Sequence, residues 1–73
     1  MEQAELRFTH HAQLRMQQRK ISRAEVEDVV SNYHTSYTDR GGNPILIGHP
    51  GGRRIKVVVK KGSSPLLVIT VGD

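Results

Sequence analysis

The chain has no cysteine and no tryptophan, and its only aromatic residues are Phe8, Tyr33 and Tyr37. Without thiols, neither disulfides nor thiolate metal sites can staple the fold, which suits a reducing compartment. Three scattered aromatics are too few for the stacking platform that single-strand nucleic-acid binders build. The longest apolar run, PLLVITV, is far too short to span a bilayer, and MEQAELRF lacks the basic start and apolar stretch of a signal peptide. The expectation is therefore a cytoplasmic protein with no membrane partner.

Acidic residues are also scarce. Seven Asp and Glu stand against eleven Lys and Arg, for a net charge of +4 across 73 residues. A balance of that sign favours RNA or another polyanion, or an acidic protein, as partner, although many small domains are basic for no specific reason. A chain this short buries only about 60% of its unfolded surface. One domain over residues 1–73 is expected, and association as a homodimer is one route to added stability.

Helical patterning fills the first half. Thr9 is a good N-cap, and HHAQLRMQQR contains no Gly, Pro or β-branched residue. Phe8, Ala12 and Met16 form one stripe at 100° per residue, with His11, Arg15 and Arg19 on or beside it. Leu14 falls off that stripe, which predicts contacts on two sides of the helix. Ser22 and Glu25 form a capping box for a second helix, and Ile21 and Val26 have the spacing of a hydrophobic staple. Val26, Val29 and Val30 supply its buried face, and Asn32 is its expected stop.

After Asn32 the period changes to alternation. HTSYTD, ILIGH, RRIKVVVKK and LLVITV read as strands, separated by turns at RGGNP, PGG and GSSP. Ile55, Val57 and Val59 fall on one face of the third strand, opposite Arg54, Lys56, Val58 and Lys60. LLVITV is apolar on both faces, so it is expected to be internal or paired across a dimer. The predicted fold class is α+β: two N-terminal helices packed on one face of a mainly antiparallel sheet of three to four strands.

Among residues with reactive side chains, His11 stands out because it lies one helical turn before Arg15. An imidazole suits general acid–base work, and a guanidinium can hold a phosphate through two hydrogen bonds. A histidine and several cations around one phosphodiester can cleave RNA without metal, with the cations stabilising the charged phosphorus. The same spacing fits a surface histidine beside an arginine that packs on Met16 or pairs with Glu27. Local spacing alone favours this plainer account.

His10 points about 100° away from His11, so the adjacent pair is not a metal clamp. His34 and His49 can approach each other only through a fold that their spacing does not predict. No metal and no cofactor is expected. GHPGGRRIKV places Arg53, Arg54 and Lys56 beside a glycine turn that can present backbone amides to phosphate, or that simply forms a solvated basic hairpin. It lacks the G-x-x-x-x-G-K-[ST] pattern of nucleotide hydrolysis. Thr70 interrupts the last apolar strand and is either a phosphate hydrogen-bond donor or an ordinary β-former.

The stretch THHAQLRMQQRKISRAEVEDVV, followed by GGRRIKVVV and LLVITV, resembles the small bacterial family known as domain of unknown function 4258. His11, Ala12, Arg15, Met16, Arg19, Ile21, Ser22, Glu25 and Val26 fall on its pattern, T-x-H-A-x-x-R-M-x-x-R-x-I-S-x-x-E-V. The layout is also similar to the RelE/ParE-type toxin fold, whose members include metal-independent ribonucleases and gyrase-directed toxins. That resemblance implies a toxin–antitoxin setting with an acidic antitoxin partner. It implies His11, Arg15 and Thr70 as catalytic residues, and Arg19, Arg53, Arg54 and Lys56 as nucleic-acid-binding ones. The chain departs from the toxin layout in lacking a clear strand before the first helix. The leading expectation is a RelE-like RNA-binding domain that acts as a metal-independent endoribonuclease. The alternative is a non-catalytic protein- or nucleic-acid-binding domain, as a homodimer.

Overall fold

Thr9 and Ser22 start the two helices as their side chains require. In the computed structural model, which describes residues 5–73, helix α1 spans His10–Arg19 and helix α2 spans Arg23–Asn32. The first four residues, part of the stretch read above for a leader, lie outside the described residues. Thr9 accepts a hydrogen bond from the Ala12 amide at 3.0 Å. Ser22 and Glu25 complete both halves of the capping box, at 3.1 Å and 2.8 Å. Ile21 and Val26, the staple pair, are both buried.

The tight link between the helices depends on Lys20, whose φ of 55° puts a non-glycine residue in the left-handed region. Its amide, with that of Ile21, returns to the carbonyls of the last turn of α1. Helix α2 does end at Asn32, the expected stop, but without a left-handed residue. The chain simply becomes extended at Tyr33, with φ −61° and ψ 148°.

Five strands follow the element order β1 (Leu6–Phe8), α1, α2, β2 (Thr35–Thr38), β3 (Pro44–Gly48), β4 (Ile55–Val59) and β5 (Leu66–Gly72). A short 3₁₀ turn at Pro50–Gly52 joins β3 to β4. The sheet order is β1-β5-β4-β3-β2, antiparallel from β2 to β5, with β1 parallel to β5 at the edge. This corrects the expected three to four strands to five, and the sheet is mixed. Three residues, LRF, are too few to show a period, and a parallel partner sixty residues away leaves no local turn signal.

Both helices cover one face. Ala12, Ile21, Val26 and Val29 meet Leu6, Leu46, Ile55, Val57, Val59, Val68 and Val71 in one buried cluster, with Phe8, Met16, Val30 and Leu66 packed at its margin. Leu14, expected to make a second contact, is 42% exposed instead. Gly48 lets α2 approach the sheet: a methyl group there would stand 3.2 Å from Val29 Cγ2 and 3.3 Å from Val29 Cα.

The open face follows from the register. Lys56 pairs with Gly72, Val58 with Thr70 and Ile45, and Tyr37 with Ile45. Directly opposed residues share a face, so these lie away from the helices. Val58 and Ile47 are buried there, outside the core cluster.

A candidate phosphate-binding edge between α1 and β5

Strand β1 pairs with β5 only from Leu66 to Val68. Beyond that point the β5 edge needs another partner, because unpaired strand edges leave polar groups unsatisfied and invite aggregation. Helix α1 fills the gap. The Thr9 amide donates to the Val68 carbonyl at 3.1 Å, and its hydroxyl donates to the Ile69 carbonyl at 2.8 Å. Arg15 Nε then reaches the Val71 carbonyl at 3.5 Å, the outer limit of a hydrogen bond. The N-cap of α1 and one side chain of the helix therefore meet β5 carbonyls beyond the end of β1.

A β-bulge sets which β5 side chains belong to this edge. Val58 pairs with Thr70 and Val59 with Val68, so Ile69 is an extra residue. The bulge shifts the alternation by one step. Val68 and Val71 both enter the core, while Thr70 and Gly72 fall on the open face. Strict alternation along LLVITV would have placed Val68 and Thr70 on the same face.

Arg15 and Lys56 come together at Gly72. A methyl group on that glycine would stand 3.9 Å from Arg15 Nη2 and 3.9 Å from Lys56 Cε, so those two atoms lie at most twice that distance apart, with the Lys56 ammonium one bond beyond. A phosphate seated over Gly72 would accept from the guanidinium on one side and the ammonium on the other. Neither cation has a carboxylate partner among the described residues. Glu27, the partner considered for Arg15, instead accepts from Arg23 at 3.0 Å. Arg23 also lies over the Phe8 ring, 5.4 Å from its centre.

His11 is exposed and its side chain makes no hydrogen bond among the described residues. It occupies α1 one turn before Arg15, on the helix that lines β5. Thr70 is half-buried on the open face, beside the bulge. The structure thus brings Arg15, Lys56 and Thr70 to one end of the sheet and puts His11 on the adjoining helix.

Arg53 serves the fold. Its guanidinium donates to the Lys20 carbonyl at 3.0 Å, to the Arg19 carbonyl, and to Asp73 Oδ2 at 2.6 Å, with Glu25 at 4.0 Å. It therefore ties the end of α1 to the turn before β4 and to Asp73. Arg19 lies at the margin of this group, 4.0 Å from Asp73 and half exposed, and Arg54 is exposed. Sequence spacing missed both Gly72 and the Ile69 bulge. No local signal marks either, because each acts through strand register.

The Asp73 carboxyl is held below the ordinary 3.8, chiefly by the Arg53 hydrogen bond, against a smaller opposing effect of desolvation. A lowered carboxyl pKa in the folded state stabilises above the unfolded value and ceases to do so as pH falls through the folded one. The expected outcome is that Asp73→Asn melts below wild type at neutral pH. The two melting curves should converge once the pH falls well below 3.8. Thermal unfolding across that range checks this, and a difference that persists in acid would assign the effect elsewhere.

A second basic hollow lies at the other end of the open face, lined by Arg7, Lys60, Lys61, Ser63, Pro65 and Leu67 among others. Lys56 and Lys60 share that face of β4 and its continuation, so they stand about 14 Å apart at ~3.4 Å per residue. Among the described residues, no three of His, Cys, Asp and Glu gather as a metal-binding group, and no helix is long and apolar enough to cross a membrane.

A family model described as domain of unknown function (DUF4258) matches residues 8–73. No curated protein and no solved structure matches the chain.

Proposed function

The chain belongs to the domain of unknown function 4258 family, and from that premise we propose that it is a RelE-like RNA-binding domain that cleaves RNA without metal. The observation that carries the reading is the convergence of Arg15 and Lys56 on Gly72, two cations with no carboxylate partner among the described residues. The spread of charge from there toward Lys60 and Arg7 suits a chain of phosphates better than a single anion.

In this reading Arg15 and Lys56 hold one phosphodiester, with Thr70 as an added donor and Arg19 and Arg54 at the approach. Arg53 positions the neighbouring turn. His11 is the candidate acid–base group. It takes the 2′-hydroxyl proton as that oxygen attacks phosphorus, and returns a proton to the departing 5′-oxygen, leaving a cyclic phosphate. The two cations stabilise the charge that builds on the phosphate oxygens.

Binding is tested first, by titrating labelled single-stranded RNA at several salt concentrations from about 50 to 200 mM. Arg15→Ala and Lys56→Ala should each weaken binding and flatten the salt dependence by up to about 0.7 in log–log slope, the share of the one phosphate they hold together on a single strand. Unchanged slopes in both variants would remove the phosphate site. An acidic protein such as an antitoxin would meet the same cations, and competition between it and RNA for wild-type protein separates that reading from RNA binding.

A further inference from the structure

The far edge of the sheet carries a second chemical feature, independent of the cationic edge. Strand β2 lies three strands away from β5 in the sheet order. Just before β2, the His34 amide donates to the Ile47 carbonyl at 3.0 Å, which continues the β2–β3 pairing by one step. Just after β3 comes His49. Sheet register therefore brings together two histidines fifteen residues apart.

Their rings meet closely. His34 Nε2 and His49 Nδ1 are 2.7 Å apart, and the ring planes differ by only 16°. The centroids are 4.7 Å apart, well beyond the nitrogen contact, so the rings meet edge to edge with these nitrogens facing each other. Two imidazole lone pairs aimed at one another repel unless a proton or a cation lies between them. The other nitrogen of His34 lies 2.9 Å from Thr35 Oγ1. When Nδ1–H donates to that hydroxyl, Nε2 is left as a lone pair directed at His49, the arrangement by which outer partners orient metal-binding histidines.

The separation also discriminates between ions. Two nitrogens each about 2.0 Å from one ion stand about 2.8 Å apart at a right angle, and about 3.3 Å apart in a tetrahedron. The observed 2.7 Å is the hydrogen-bonded contact of the ion-free pair, and a right-angled site forms when the rings turn with the nitrogens kept near that spacing. Right-angled nitrogen and oxygen sets are the preference of Cu²⁺ and Ni²⁺, of which Cu²⁺ binds the more tightly. Both histidines are exposed, so each ring is free to turn by the roughly 45° that brings its lone pair onto one right-angled ion, with water filling the remaining positions. Helix α2 ends at Asn32, two residues before His34, and the carbonyl end of a helix favours a nearby cation.

We propose that His34 and His49 form a two-imidazole site for a divalent transition cation of tetragonal preference, Cu²⁺ foremost. Titration of the full chain with Cu²⁺ alone tests it, with affinity read from the visible absorption band and ligand type from electron paramagnetic resonance. The expected result is one ion per chain with coupling to two imidazole nitrogens. His34→Gln and His49→Gln should each weaken binding at least about tenfold, and Thr35→Val should weaken it by a smaller factor. The double variant His10→Gln/His11→Gln should bind as wild type does. Circular dichroism melts confirm that each variant is folded.

Unchanged affinity in either single variant would overturn the site. So would loss of binding in the His10/His11 variant, which would move the ion to α1. Binding by wild type no stronger than by a His34→Gln/His49→Gln double variant would leave the pair as a shared-proton contact only.

Discussion

Replacing Ile55 with alanine is expected to remove about 2–5 kcal/mol of stability. Ile55 is fully buried and sits in the cluster where both helices meet the sheet. It opposes Gly48, whose missing side chain lets Val29 come close, so the atoms around Ile55 are already held at short range by backbone. A cavity there has little room to collapse, which puts the cost toward the upper part of that span. A chain of this length has a total stability of roughly 4–11 kcal/mol, so the variant should be partly unfolded at moderate temperature. Urea unfolding followed by circular dichroism measures the loss. A change below about 1 kcal/mol would mean that α2 does not seal this part of the sheet as described.

The second large effect concerns chemistry. His11→Ala should lower RNA cleavage by about 10²–10⁴-fold, the usual contribution of a positioned acid–base group. His11 is exposed and its side chain makes no hydrogen bond among the described residues, so its removal should barely change the melting temperature. That separation makes the variant informative, because lost activity cannot then be assigned to a lost fold. Cleavage of several RNAs by wild type and variant, with melts of both, is the measurement. Equal cleavage by the two proteins, or none by either across those RNAs, would leave a binding domain and remove His11 from the reaction.

The helical half was legible because its signals are local. Thr9, Ser22 and Glu25 act within one turn, and the structure places both helices where those caps put them. The core face of β4 was legible too, since Ile55, Val57 and Val59 alternate without interruption and are all buried. What escaped the sequence depends on register between distant segments. Strand β1 is three residues long and pairs with a strand at the other end of the order. The Ile69 bulge changes the face of Thr70 without any mark in LLVITV.

The cationic residues show the same division. The shared helix face of His11 and Arg15 could be read from spacing. The arrival of Lys56 beside Arg15 needed the Gly72 register. Arg53 and Arg54 are neighbours in sequence, yet the first is fastened to Asp73 and two backbone carbonyls while the second is exposed. Composition counts them alike, and only the packing tells them apart. His34 and His49, whose approach spacing could not predict, meet because the β2–β3 register aligns them.

The parallel pairing of β1 with β5 has a consequence for how the protein is made. Leu6 meets Leu66, so the sheet cannot be completed until the ribosome has delivered the later strand. Contacts so distant in sequence slow folding, because the intervening chain must be closed into a loop before they form. Meanwhile α1 lacks the β5 carbonyls that Thr9 and Arg15 bind, and β4 stands without its β5 neighbour. The nascent chain therefore passes through a stage in which an apolar strand is bare. During that stage a chaperone, or a second nascent copy, has its best opportunity to bind.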